Sequence, residues 1–150
     1  MTDFTVCTAE SCTGGNIAHQ ITLVAGSSSY YVGSVVSYAN EVKINTLGVS
    51  AEYIEKYGAV SKQTVEAMAE GVRRLMNTDY SIATSGIAGP GGGSVEKPVG
   101  TVWMAVADRE NVYSRLCNFS GTRAEVIAQA TEAAFELFRE KFGFPLAHGE

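Results

Sequence analysis

The segment Ala9-Glu10-Ser11-Cys12-Thr13-Gly14-Gly15 sets a carboxylate, a hydroxyl and a thiol directly before a glycine pair. It follows an apolar run, Phe4 to Ala9, that reads as a strand, and the glycines open a helix signal reaching about Ala25. A serine at a strand-to-helix junction stands beside backbone N–H groups that can receive a developing oxyanion, which suits acyl transfer. The same residues also serve as a helix cap and a glycine-permitted turn, and spacing leaves both readings open. The pattern is not the Gly-x-Ser-x-Gly elbow, so that motif lends no support.

A nucleophilic serine needs a base. His19 falls on a helix surface and His148 in a tail expected to be frayed, so neither histidine is well placed in sequence. A lysine can serve if it is neutral. In Ser37-Tyr38-Ala39-Asn40-Glu41-Val42-Lys43, Asn40 is a good N-cap for a short helix through Leu47, which puts Lys43 at the third helical position. The positive end of the helix dipole disfavours an ammonium there, and burial depresses the pKa further. The competing reading is a solvated lysine beside Glu41. Tyr38 ends a strand that starts at Tyr30; it relays a proton, holds the lysine, or merely packs on the core edge. Cys12 offers a different nucleophile, because a thiol at a helix N-terminus can ionise more readily than usual.

Two further stretches could hold a ligand. The loop Gly86-Ile87-Ala88-Gly89-Pro90-Gly91-Gly92-Gly93-Ser94 follows a strand ending at Thr84 and Ser85. Its glycines let a ligand approach the backbone, yet a mobile surface loop explains them equally well. It is neither a Walker loop nor a Gly-x-Gly-x-x-Gly turn leading into a helix. Arg123 lies in the first turn of a helix, where cations are disfavoured; it either joins backbone amides around a phosphate or pairs with an acid such as Glu125.

Elements that could position these residues alternate between strand and helix signals, which indicates an α/β domain. Ser50 starts a short helix to about Tyr57. Ser61 caps a stronger one with Val65, Met68, Val72 and Leu75 at helical spacing. Tyr80 to Ser85 is a third strand. Val99 to Ala107 and Asn111 to Phe119 form a hairpin across Asp108-Arg109-Glu110. Thr122 and Glu125 make a capping box for a helix that buries Ile127, Ala130, Ala134, Leu137 and Phe138 and ends near Pro145. The expected fold is one domain over residues 1–150, with about five strands in a mixed sheet and helices on both faces.

Composition narrows the function classes. With 45% hydrophobic and 18% charged residues the chain can bury a core and is not disordered. Its net charge is −5 and its Lys and Arg residues are scattered, which argues against nucleic-acid binding. No apolar run approaches the roughly 20 residues of a membrane span. No basic-then-apolar leader opens the sequence, so no membrane contact and a cytoplasmic location are expected. Cys7, Cys12 and Cys117 are odd in number and lack Cys-x-x-Cys spacing, which argues against a disulfide framework or a zinc site. Cys7 and Cys117 read as inert core.

Taken together, these stretches resemble the CinA C-terminal family. The resemblance rests on residues 9–15 and 37–43, on Gly58-Ala59-Val60-Ser61 and on Ser85-Gly86-Ile87-Ala88-Gly89-Pro90. It continues through Glu96-Lys97-Pro98-Val99-Gly100-Thr101-Val102 and Phe119-Ser120-Gly121-Thr122-Arg123, in the family's order, over about residues 5–140. It implies a three-layer α/β/α sandwich with a mixed, mainly parallel sheet. It implies hydrolysis of the carboxamide of nicotinamide mononucleotide to nicotinate mononucleotide and ammonia, with no cofactor and no metal. The family's serine matches Ser11, its tyrosine Tyr38 and its lysine Lys43. Glu10, Cys12, Thr13, Gly14, Gly15, Thr84, Ser85, Gly86, Gly89 and Arg123 become expected substrate-binding positions. A small-molecule nucleotide is the expected partner, and a homo-oligomer the expected assembly.

This sequence departs from the family pattern in three places. The family usually has a helix before the first strand, whereas the strand signal here begins at Phe4. The family's loop usually reads Gly-Pro-Asp-Gly-Gly, and Gly91 stands where that Asp would be, which removes an acidic ligand contact or a turn-fixing group. Many members also carry an N-terminal cofactor-like domain, whose activity is not implied for these residues. The alternative to the amidohydrolase is a module that binds a pyridine nucleotide without turnover.

Overall fold

The computed structural model describes residues 3–149. The chain runs through β1 (Val6–Glu10), α1 (Asn16–Thr22), a 3-10 turn (Ser27–Ser29), β2 (Tyr31–Val36), α2 (Asn40–Asn45), α3 (Ala51–Tyr57) and α4 (Lys62–Met76). It continues with β3 (Tyr80–Gly86), β4 (Thr101–Ala107), β5 (Val112–Asn118) and α5 (Arg123–Phe142). One sheet has the order β2-β1-β3-β4-β5. β1 pairs in parallel with β2 and β3, whereas β4 is antiparallel to both β3 and β5, so every strand but β4 points the same way. The expected mixed, mainly parallel sheet of an α/β fold is therefore present.

Alternation along the strands builds two cores. Ile82, Val102, Met104 and Val106 face α1 and α5. Cys7, Ala9, Ala83, Ala105 and Ala107 face α4. The second set is small, and it lets α4 lie close to the sheet. Its partners on α4 are Val65, Met68, Ala69 and Val72. Leu75, expected on the same stripe, is 53% exposed. Ten residues after Val65 is not a whole number of helical turns; eleven is, and Met76 occupies that place, against the β2 backbone at Gly33.

The caps fall largely where the residues predict. Ser50 and Ser61 accept hydrogen bonds from Tyr53 N and Thr64 N, and Thr122 with Glu125 forms a reciprocal capping box. Asn40 does not cap α2: Ala39 occupies that position without a side-chain bond, and Asn40 is the first helical residue. Helix α5 ends at Gly143 (φ 82°), before Pro145, and Ile127 sits at the margin of its buried face. His148 does not lie in a frayed tail. Its ring stacks on Phe135 at 3.7 Å, its Nε2 meets Glu132 at 3.1 Å, and nearby Leu146 is buried. His19 is exposed on α1, as expected, and Cys117 is only half-buried.

The placement of α2 depends on one glycine. Gly71 lies on the buried side of α4, and a Cβ there would stand 2.0 Å from the carbonyl oxygen of Leu47, just beyond α2. Helix propensity alone makes Gly71→Ala stabilising by about 1 kcal/mol. The backbone overlap reverses the sign, and we expect a net destabilisation of about 1–3 kcal/mol. Chemical denaturation checks this; a higher midpoint for Gly71→Ala would contradict the packing.

Candidate active site

In the parallel part of the sheet, Glu10 is level with both Val36 and Thr84. The next residues, Ser11, Ser37 and Ser85, therefore stand at one height, Ser11 and Ser37 just past β1 and β2 and Ser85 at the last but one position of β3. Ligands of open α/β sheets gather beyond this carboxyl edge. A cleft of about 270 Å³ opens there, lined by Ser11, Cys12, Tyr38, Lys43, Ser85, Arg123 and the glycine loop.

Lys43 is the fourth residue of α2 and is 1% exposed. Its Nζ lies 3.1 Å from Ser11 Oγ, 2.7 Å from Ser37 O and 3.2 Å from Tyr38 O. Among the described residues no carboxylate pairs with it. Burial pushes its pKa below the ordinary lysine value. A neutral amine has two N–H groups for the two carbonyls and a lone pair left for the Ser11 hydroxyl proton. An ammonium in the same place donates its third N–H to Ser11 Oγ. The pair can thus hold the proton on either side without changing partners.

The turn that carries Ser11 is fixed on several sides. Ser11 N donates to Thr84 O at 3.1 Å, and Gly14 N donates back to Ser11 O at 3.0 Å. The amides of Gly15, Ile17 and Ala18 all donate to the Glu10 carboxylate, and Asn16 N donates to Thr13 O. The N-terminus of α1 therefore does not face a ligand, contrary to the expectation for Gly15. Among the described residues of this turn, only the Cys12 and Thr13 N–H groups have no backbone or side-chain acceptor.

Several expected substrate contacts lie behind the turn instead. Glu10 is fully buried, and Thr13 and Thr84 bond to each other at 2.8 Å. Gly14 points outward and Gly15 occupies the N-cap of α1 in the left-handed region (φ 102°). None of these five residues lines the cleft. Cys12, Ser85, Gly86, Gly89 and Arg123 do. Cys12 is 5% exposed, and burial pushes its thiol up to about 12. That disfavours the thiolate a cysteine nucleophile requires.

Tyr38 acts through two different atoms. Its carbonyl oxygen holds Lys43, whereas its side chain is exposed and its Oη accepts from Arg123 Nη2 at 2.8 Å. The phenol thus does not hold the lysine. Arg123 Nη1 donates to Gly89 O at 2.6 Å, so this one side chain bridges the tyrosine and the glycine loop across the cleft mouth. Glu125, its expected acid partner, is engaged with Thr122. Among the described residues no carboxylate bonds to Arg123, which leaves its charge available to an anion.

The cleft and its support also draw on Ala59, Val60 and Lys97, to which the sequence assigns no site role, and on Gly86 and Gly91, which it singles out. Ala59 and Val60 form a wall, held because Ser85 Oγ donates to Ala59 O at 2.8 Å. Lys97 Nζ ties the far side of the glycine loop to Tyr57 O at 2.7 Å, at the C-terminus of α3 where a cation is favoured. Gly86 permits the loop's departure: a Cβ there would come 2.8 Å from Thr101 O. At Gly91 a Cβ would meet open space, so the substitution from the family's usual Asp is a loss of a group, not relief of a clash.

Residues 1–142 match the model of the CinA C-terminal domain. A CinA-like protein of Endomicrobium trichonymphae is 50% identical over 137 residues, covering 91% of this chain and 32% of that protein. One from Cytophaga hutchinsonii is 48% identical over 137 residues, covering 91% and 33%. The chain thus spans about a third of the length of these curated relatives. Among solved structures, competence damage-inducible protein A (ComA) of Klebsiella pneumoniae superposes with a TM-score of 0.90 at 38% identity, covering 93% of this chain and 87% of that one. CihA of Agrobacterium tumefaciens, a competence/damage-inducible protein, gives 0.89 at 41% identity, covering 91% and 84%. The serine turn, the lysine helix and the sheet order thus stand within a match that runs nearly the whole chain, and the protein belongs to the CinA C-terminal domain family.

Proposed function

We propose that this chain is a serine–lysine amidohydrolase that hydrolyses the carboxamide of nicotinamide mononucleotide. The observation that carries the reading is the Lys43 amine: buried, without a counter-charge among the described residues, and 3.1 Å from Ser11 Oγ. The family resemblance supplies the substrate. A buried lysine held by two carbonyls and a serine is poorly suited to structural support, because burying a charge without a partner of opposite sign is costly. The same arrangement suits a general base, which has to be neutral to work.

In this reading, neutral Lys43 takes the Ser11 proton as Oγ attacks the amide carbon. The N–H of Cys12, a residue that lines the cleft, receives the oxyanion. Lys43 then gives its proton to the departing nitrogen, and ammonia leaves an acyl-Ser11. Water, deprotonated by the same amine, releases nicotinate mononucleotide and restores the serine. Arg123 binds the phosphate together with amides of the glycine loop, giving up its bonds to Tyr38 Oη and Gly89 O for a charged acceptor. Tyr38 contributes its carbonyl to the lysine and its phenol to the Arg123 gate.

Ammonia release from nicotinamide mononucleotide tests the assignment. Ser11→Ala and Lys43→Met should each lower kcat by about 10³-fold or more. Full turnover in Ser11→Ala would end the reading. Tight nucleotide binding by calorimetry, with no ammonia over hours, would instead favour a non-catalytic binding module.

The pH dependence has a definite sign. Only the neutral amine accepts the proton, so kcat/KM should rise about tenfold per pH unit and level off at the Lys43 pKa. Burial lowers that pKa, so the midpoint should lie below 10.5. A midpoint at or above the ordinary lysine value would contradict a desolvated base.

Arg123→Gln should separate binding from chemistry. Loss of a charge-assisted contact to phosphate should raise KM by about 10–100-fold with kcat little changed. Steady-state kinetics on the nucleotide and on nicotinamide itself checks this, since the phosphate-free amide should be indifferent to the substitution.

A further inference from the structure

Ser11 and Lys43 occupy the front of the nucleophile turn, and its back is closed by Glu10, which is 0% exposed. Glu10 Oε1 accepts from Thr13 Oγ1 at 2.7 Å, Gly15 N at 3.2 Å and Ile17 N at 2.9 Å. Its Oε2 accepts from Thr8 Oγ1 at 3.0 Å and Ala18 N at 2.8 Å. No cation is among these partners. The N-cap of α1 is Gly15, which has no side chain to satisfy the orphan amides of the helix. Glu10 supplies that cap from the end of a neighbouring strand.

The carboxylate also imposes direction on its surroundings. Thr13 and Thr8 each have one hydroxyl proton, and both point it at Glu10. Thr84 must therefore donate to Thr13 across 2.8 Å, Ser34 to Thr8, and Tyr31 to Ser34 across 2.6 Å. Two hydroxyl chains converge on one buried group. The main chain of Glu10 reaches the lysine as well: its carbonyl accepts from Ser37 N at 2.8 Å, and Ser37 O accepts from Lys43 Nζ.

We propose that Glu10 is a positioning residue for the Ser11–Lys43 pair. By taking the α1 amides and the Thr13 hydroxyl, its carboxylate fixes residues 11–14 so that Ser11 Oγ stays in reach of Lys43. Of the amides in that turn, the one left at the cleft wall to meet a negative charge is Cys12 N–H. This inference rests on the reading of Ser11 as the nucleophile.

Glu10→Gln keeps the shape and replaces one oxygen by an amino group. In either orientation that group faces a backbone N–H, of Gly15 and Ile17 on one side or of Ala18 on the other. Unlike a hydroxyl, a backbone N–H cannot turn round to accept. The full chain should be assayed for ammonia release, for labelling of Ser11 by a fluorophosphonate, and for amide hydrogen exchange. The kcat and the labelling rate should both fall by about 100-fold with KM changed by less than about threefold. The midpoint of the pH profile should stay at the parental value. Exchange at Ile17 and Ala18 should quicken by roughly tenfold or more while α4 is unaffected.

Labelling and turnover at the parental rate would overturn the proposal. So would a raised KM at unchanged kcat, which would make Glu10 a substrate contact, or a shifted pH midpoint, which would make it an electrostatic partner of Lys43. If the Gln variant does not fold, Thr13→Val decides: a fall in labelling of about tenfold supports positioning, and a parental rate refutes it. A parent that labels but releases no ammonia loses only its substrate assignment, and the labelling series still decides Glu10. A parent inert in both assays loses the nucleophile, and this proposal with it.

Discussion

The site depends on keeping one amine dry. Lys43 is buried between two main-chain carbonyls and a serine hydroxyl, with no acid among the described residues to hold its proton. Both carbonyls belong to the segment that follows β2, so the lysine is fixed by the path of the backbone, not by a side chain that could ionise beside it. A carboxylate at this distance would stabilise the ammonium by several kcal/mol and leave no base. What the fold supplies is therefore an omission as much as a contact. The cost of desolvating the lysine falls on the charged form, and the chemistry needs the uncharged one.

Geometry around the amine follows from the sheet. Parallel pairing of β1 with both neighbours brings three strand ends to one level, which places the serine turn beside the carbonyls that hold the lysine. The lysine arrives from a helix that is only six residues long and has little stability of its own. Its position comes from Leu47 lying against Gly71 on α4, a residue remote from the cleft. At the opposite end of the sheet, Phe4, Tyr80, Phe138 and Phe144 pack ring on ring, with centroids 5.1–5.8 Å apart. The stiff end and the reactive end of the sheet are thus separate.

Much of this was legible in the residues. Alternation of strand and helix signals, the capping box at Thr122 and the late hairpin carry the architecture, because they depend on local chemistry. Ser11 and Lys43 stand out as candidates by residue type and position, and the order of the motifs along the chain pairs them. Other features were not legible, for physical reasons. Glu10 stands among the substrate-binding positions expected from the resemblance, but strand alternation turns it inward, under α1. Tyr38 looked like a partner of the lysine through its phenol, and it is a partner through its carbonyl, a group every residue has. Leu75 falls off the buried stripe because the steps of three, four and three from Val65 add up to ten residues, short of three full turns, and Met76 takes the place. The walls at Ala59 and Val60 have no chemical signature at all.

The reversal of β4 has a consequence of its own. Because β4 runs against β3, the segment joining them leaves and re-enters the sheet at the same rim, above Ser11. The links from β1 to β2 and from β2 to β3 cross to the far rim, so their lengths are tied to the helices that span the sheet. Residues 87–100 are under no such tie. Their ends are still fixed, Gly100 N donating to Ile87 O and a Cβ at Gly100 standing 1.9 Å from Phe119 O. At Gly91, however, a side chain meets open space, and a change there does not disturb the frame that holds the amine. What the cleft grips can thus be altered at that one open position with the reaction centre left untouched.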